Sequence, residues 1–421
     1  MLRAAVLLAC ISGYSGFLFA GDWPQFRGPE GMGISSEENI PIEWGPDKNI
    51  RWKTPLPAES NGSPIVSDGR VFATTATDEG TNRHLHCFDR TDGRELWTRT
   101  VEYTKDDPTH KTNPYAATTP AANGEVVVVF HGSAGLYCYD FSGRRLWSRD
   151  LGEFLHIWGY ASSPVIYGDR VILNAGPGEL QFLTALDLAS GETLWKIDEP
   201  GGASGLEKDS KLWIGSWSTP VITKIDGEDQ ILWSMPTRVI ACDPKTGQLL
   251  WFVEGLANLP RGNLVYTSPV IGDGIAVVLG GFNGPAIGFT LGGSGNVTER
   301  NLLWREERGN PQRIGSGVIV DGNLYHMNAD SGTAECLDAR TGEQKWKARV
   351  EGGGAWGSTL YADGRLYATV QDGTTHVFLP NPDKLEIVAS KSIGERSNAT
   401  PAFSDGEIFL KTAKHLYCIA E

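Results

Sequence analysis

Only six cysteines occur in the 421 residues, none adjacent to another and none in a Cys-x-x-Cys pair, so the spacing offers no zinc framework. Cations are also scarce: 37 lysines and arginines face 51 aspartates and glutamates, giving a net charge of −14. No basic stripe appears, which argues against a nucleic-acid partner, because phosphate binding is driven by clustered Lys and Arg. An anionic membrane surface is an equally poor match. Helical periodicity of useful length is missing outside the first twenty residues, so the mature chain is not expected to span a membrane. No Ser-His-Asp or paired-carboxylate spacing stands out.

What the sequence does hold is a repeat. Trp52, Trp97, Trp147, Trp195, Trp251, Trp304 and Trp346 recur at intervals of 45, 50, 48, 56, 53 and 42 residues. In the clearest copies an Asp opens a turn, the turn ends in Gly, and Trp follows four residues after that Gly, as in Asp187 to Gly191 and Trp195. A second signal keeps step with the first. Ser/Thr-Pro openings at Ser63, Thr119, Ser163, Thr219, Ser268 and Thr400 each precede a short apolar run. Eight two-residue turns follow such runs, at Asp68-Gly69, Asn123-Gly124, Gly168-Asp169, Asp226-Gly227, Asp273-Gly274, Asp321-Gly322, Asp363-Gly364 and Asp405-Gly406. Turns of this kind accept the positive φ angles of tight hairpins. With a second hairpin before each Trp, every unit becomes four short strands.

Four-stranded units at this period predict an all-β protein, an eight-bladed β-propeller of antiparallel blades. The eighth Trp slot falls at Val388, whose blade has Lys384 where the Gly is expected. Residues 398–421 give three strands, and the strand around Trp52 has no partners of its own. The N-terminal strand is therefore expected to close the ring by completing the last blade, which also removes open sheet edges. Cys87, Cys138 and Cys336 stand two residues before an Asp, with Cys418 at the matching place. They are expected to be free buried thiols, since equivalent slots in adjacent blades lie too far apart for a disulfide, which needs Cα atoms within roughly 7 Å.

Arg3, the apolar stretch from Ala4 and the small-residue exit at Ala20 read as an export signal. The expected organisation is a signal peptide over 1–20, a leader over 21–48 and the propeller over 49–421, in a periplasmic or otherwise extracytoplasmic protein. Leu7-Leu8-Ala9-Cys10 resembles a lipobox, which would anchor the chain at Cys10. Only six apolar residues separate Arg3 from Cys10, a short stretch for that role, and simple cleavage is the preferred reading.

The phrase Asp-x-x-x-Gly-x-x-x-Trp, as in Asp243 to Trp251, resembles the tryptophan-docking motif of the PQQ-like, or quinoprotein alcohol dehydrogenase-like, eight-bladed propellers. The resemblance covers residues 49–421 and implies that Trp52, Trp97, Trp147, Trp195, Trp251, Trp304 and Trp346 dock between blades. Trp23-Pro24-Gln25-Phe26-Arg27-Gly28-Pro29 is similar to the leader of exported propellers from planctomycete-type bacteria. Such blades build both quinone-dependent dehydrogenases and non-catalytic proteins, among them the propeller lipoprotein of outer-membrane protein assembly, so fold alone does not imply catalysis. The dehydrogenases usually carry adjacent cysteines against the quinone, and this chain has none.

Propeller geometry puts the residues just before each Ser/Thr-Pro around the mouth of the central channel. Asn61, Trp217, Tyr266, Trp356 and Asn398 fall there, with Tyr115, Trp158, Tyr160, Arg313 and Arg396 nearby, and also Trp213, His156 and Arg261. Aromatic planes with a few polar groups suit a small-molecule or peptide site, although the same rings could simply plug the channel. The long connections 101–118, 199–217 and 253–267 should cover the same face. Two functions are expected from this pattern. The first is a monomeric non-catalytic scaffold binding an envelope protein or small ligand at the mouth, with no cofactor and no metal. The alternative is a dehydrogenase of alcohols or sugars that uses pyrroloquinoline quinone and calcium, with the quinone on Trp217 or Trp356 and Arg313 or Arg396 near its carboxylates.

Overall fold

The computed structural model describes residues 21–199, 206, 213–257, 263–307, 312–330 and 332–421. The expected signal peptide, Cys10 and Arg261 lie outside the described residues. Eight antiparallel sheets follow one another around the ring. Blade 1 runs from Ile65–Ser67 through Arg70–Thr77 and Asn82–Asp89 to Glu95–Glu102, and this inner-to-outer order recurs in every blade. In blade 8 the strands Ala402–Ser404, Glu407–Lys411 and His415–Ile419 take Ile50–Pro55 as their fourth, with Trp52 opposite Cys418. The ring is closed by the N-terminal strand, as the repeat count predicts.

The hairpin chemistry works as the turn residues require. Asp68, Asp226, Asp273, Asp321, Asp363 and Asp405 have φ between 44° and 53°, and each is followed by a Gly of positive φ. Two successive left-handed residues define the type I′ turn, whose twist matches that of the flanking strands.

The seams between blades are built around the repeated indoles. Trp147 packs on Gly191 of the next blade, where a Cβ would come within 2.6 Å of the ring, and its Nε1 donates to the Leu188 carbonyl at 2.8 Å. Only glycine permits both that approach and the φ of 71° at Gly191. The same indole-to-carbonyl bond joins Trp52 to Arg90, Trp97 to Phe141, Trp195 to Pro244, Trp304 to Ala339 and Trp346 to Asn381. Trp346 keeps its bond although its partner turn carries Lys384 in place of glycine.

Two seams depart from the rule. The residues before Trp304 form a strand, Gly295–Asn296, and one helical turn, Thr298–Asn301, instead of an Asp-to-Gly turn. Trp251 therefore has no turn carbonyl to meet; it pairs with Gly295 through the backbone, and its Nε1 donates to Gln230 of its own blade. It remains fully buried, edge-on to Phe289 of the following blade. At the last seam Val388 is 44% exposed. Blade 8 has no turn joining its outer two strands, because these come from opposite ends of the propeller sequence, so an indole at Val388 would find nothing to dock on. The leader supplies one instead: Trp44 is buried in the same cluster as Ala389, Tyr367 and Tyr417.

The leader also crosses the ring on the face of the first hairpin turns. Trp23 exchanges backbone bonds with Val66 of blade 1, and Pro24 accepts from Ala122 of blade 2. The buried Arg27 donates to Gly317 of blade 6, and Gly33 and Ser35 bond to Tyr361 of blade 7. Glu37 then reaches the Gly406 turn of blade 8.

Trp195 is 9% exposed. Replacing it by alanine is expected to cost on the order of 3–5 kcal/mol, the range for emptying a buried aromatic site. Chemical denaturation of Trp195→Ala beside the parent measures this, and an unchanged midpoint would contradict the seam.

Candidate functional site

The innermost strands begin beneath a belt of hydroxyls that ties the blades together at the axis. The Ser63 N–H donates to Thr119 Oγ1 at 2.9 Å, Thr119 to Ser163 Oγ at 2.9 Å and Ser163 to Thr219 Oγ1 at 3.1 Å. Around the other side Ser268 donates to Ser316, Ser316 to Ser358, Ser358 to Thr400 and Thr400 back to Ser63, at 2.9–3.1 Å. The Ser/Thr of five Ser/Thr-Pro openings, Ser63, Thr119, Ser163, Thr219 and Thr400, is thus an inter-blade acceptor. Ser316 and Ser358 serve at the same position without a proline.

Above the belt lies a cup of about 530 Å³, open on the mouth side. Of the residues placed at the mouth from sequence, Asn61, Trp158, Trp217, Tyr266, Trp356 and Asn398 line it, and Trp213 and Phe282 join them. Phe26 of the leader also lines the cup, from the opposite end of the channel. The long connections contribute His110, Thr112 and Asn113 from 101–118, Trp213 from 199–217 and Leu264 and Tyr266 from 253–267.

The lining divides into two arcs. One is a chain of side-chain amides. Gln371 donates to Asn398 at 3.2 Å, Asn398 to Asn61 at 3.1 Å, Asn61 to Asn113 at 3.1 Å, and Asn113 to the Trp158 carbonyl at 2.8 Å. The other is aromatic. Trp217 stands edge-on between His156 at 4.8 Å and Tyr266 at 5.2 Å, its Nε1 donating to the Gly159 carbonyl at 2.9 Å. Trp158 packs against His110 at 4.5 Å and meets Trp213 edge-on. The carboxylate in the lining is Asp330, raised by burial and placed beside the Gln312 amide.

Four residues expected at the mouth do other work. Tyr115 and Tyr160, with Tyr103, surround the Arg83 guanidinium at 5.0–5.5 Å. Arg83 forms a buried ion pair with Asp107 at 2.5 Å and also donates to the His131 carbonyl. Asp107 in turn accepts from Ser133, so the connection 101–118 is pinned to blades 1 and 2 and holds His110, Thr112 and Asn113 against the cup. Arg313 is buried, paired with Glu306 at 3.0 Å and 3.8 Å from Glu335. Arg396 pairs with Glu59 on the exposed rim. Each of these cations is committed to a carboxylate, which spacing in the sequence could not reveal.

Pyrroloquinoline quinone is a polycarboxylate. No arginine or lysine occurs among the described lining residues, and Asp330 adds a negative charge. Among the described residues no group of three or more His, Cys, Asp and Glu side chains is placed to hold a metal ion. The described lining therefore offers no cation to the carboxylates of such a quinone. Cys87, Cys138, Cys336 and Cys418 are free and buried, as their slots predict, and Cys242 is free and buried too; burial raises Cys87 and Cys138 to about 12.

Comparison with known proteins follows the fold. A family profile described as "Outer membrane protein assembly factor BamB" matches residues 41–114, 81–348 and 330–420. Two relatives of that name are similar in sequence. The protein from Moranella endobia (strain PCIT) is 24% identical over 373 residues, 84% of this chain and 83% of its own length. The Yersinia pestis protein is 26% identical over 238 residues, 55% of this chain, and the match spans about half, 51%, of that relative. Among solved structures, BamB from Moraxella catarrhalis has a TM-score of 0.58 at 14% identity, covering 88% of this chain and 96% of its own. Quinohemoprotein alcohol dehydrogenase from Comamonas testosteroni has a TM-score of 0.66 at 13% identity, covering 94% and 80%. At such identities the structural likeness establishes the fold and nothing finer.

Two tests follow from the loop anchor. Arg83→Ala leaves Asp107 buried without its cation, so a loss of about 3–5 kcal/mol is expected, with faster proteolysis within 101–118; a parent-like melt and cleavage rate would remove Arg83 as the anchor. His131 is held down to about 3 by burial, then by the charges of Arg83 and His84. Unfolded chain takes up this proton near 6.5 and folded chain only near 3, so stability should fall as pH drops through that window. His131→Phe should flatten part of that slope in denaturation series at pH 7, 5 and 4.

Proposed function

We propose that this chain, which belongs to the family described as outer membrane protein assembly factor BamB, is a non-catalytic scaffold of the cell envelope that recognises its partner with the loop-bearing mouth. One asymmetry between the two faces carries the reading. The connections 101–118, 199–217 and 253–267 all contribute to one cup, while the other face is strapped by residues 22–37. A rigid ring with its long loops gathered on one side is a frequent arrangement for recognition. The name shared by the relatives supports an envelope setting and a protein partner from outer-membrane assembly. The export reading of residues 1–20 agrees with that setting, and the scaffold acts as a monomer.

The aromatic side chains at the mouth are the natural anchors, since a few buried aromatics usually dominate an interface. Trp217→Ala combined with Trp356→Ala should abolish co-purification of the partner from solubilised envelope without dissolving the fold. Retained capture would show that the mouth is not the contact surface. Adding quinone and calcium to purified protein tests the dehydrogenase alternative: a quinone absorbance change with dye reduction on an alcohol or sugar would overturn the non-catalytic reading.

A further inference from the structure

We propose that the cup is itself a binding site for a neutral oligosaccharide, a ligand distinct from the protein held by the surrounding loops. The base of the cup decides what can fill it. Ser63, Thr119, Ser163, Thr219, Ser358 and Thr400 all line it, and each hydroxyl already accepts an N–H from the preceding blade. A hydroxyl has two lone pairs and one proton. With one lone pair used along the ring, each keeps its proton and a second lone pair to offer an occupant. The base is thus a circle of hydroxyls that can both donate and accept.

Hydroxyls at the base discriminate among occupants. An apolar side chain would bury them without partners, which is unfavourable. A quaternary ammonium suits an aromatic cage, but it brings neither an acceptor nor an N–H or O–H donor to the base. An anion would accept from the hydroxyls, yet the described lining holds no arginine or lysine and includes Asp330. A polyol satisfies the base with its own oxygens and can donate in return.

The walls fit the same ligand. Sugar rings have apolar C–H faces and polar edges. Trp158, Trp213, Trp217 and Trp356 offer aromatic surface on one side, and the Asn61, Asn113 and Asn398 amides offer donors and acceptors on the other. Those amides are already bonded to one another, so the polar arc is set before a ligand arrives, which lowers the entropy lost on binding. A volume of about 530 Å³ exceeds what a single hexose needs and lies within the ordinary range for ligand pockets.

Maltotriose, cellotriose and triacetylchitotriose, followed by a neutral glycan array, are to be titrated into the full protein with calorimetry and tryptophan fluorescence as readouts. Trigalacturonate, choline and an uncharged Leu/Phe-rich peptide serve as comparators. Saturable binding of at least one neutral glycan is expected. Trp356→Ala and Asn398→Leu should each weaken it about tenfold or more, with melting near that of the parent. If Trp356→Ala does not fold, Trp356→Phe and Asn398→Asp provide the same reading. No neutral glycan bound, tighter binding of any comparator, or unchanged affinity in the variants would overturn the proposal. Partner capture is measured separately, so capture intact with no glycan bound sinks this inference and leaves the scaffold standing.

Discussion

Contact between an indole and the turn of the next blade, made at six seams, is the interaction on which the rest depends. A four-stranded blade has two faces to cover and can cover neither alone. Trp147 on Gly191 shows how the problem is solved, with an aromatic plane against a residue that has no side chain. Seven repeat indoles acting in one rotational sense, with Trp44 of the leader at the eighth seam, make the ring a closed series of nearest-neighbour contacts. The hydroxyl belt repeats that logic at the axis, where there is no room for indoles.

Where the series is interrupted, the chain compensates locally. Val297 and Phe289 are buried in the same cluster as Trp251 at a seam whose turn has been replaced by an insertion. Trp44 from the leader is buried where blade 7 lacks its own indole. The leader is therefore part of the propeller's packing even though it contributes no strand to a blade. By ending the channel at Phe26 it also turns a tube into a cup.

Blade number, strand order and ring closure were legible in the sequence because each depends on short-range chemistry. Asp-Gly pairs, the Gly-to-Trp offset and the apolar runs need only their neighbours to be interpreted. The cup was legible in part: counting back from each Pro located Asn61, Trp217, Tyr266, Trp356 and Asn398, since those positions follow from blade geometry. Tyr115, Tyr160, Arg313 and Arg396 do not line the cup, because their orientation is set by distant charges, Asp107 through Arg83, Glu306 and Glu59, that no local pattern connects to them. The belt was hidden by its proline: Ser/Thr-Pro reads as a strand opening, while the hydroxyl one blade away is what uses it. The leader's path across the ring left only a buried-looking Trp23 and Phe26 as hints.

Closure of blade 8 ties the order of synthesis to the completion of the fold. Ile50–Pro55 is made more than 350 residues before its ladder partner, His415–Ile419. Throughout translation that early strand waits with its hydrogen-bonding edge bare, as do the incomplete blades behind it. Until residues beyond 415 arrive the molecule is an open horseshoe with two adhesive ends. A chain of this design relies on being shielded during that interval, and His415–Ile419 acts as the clasp that ends it.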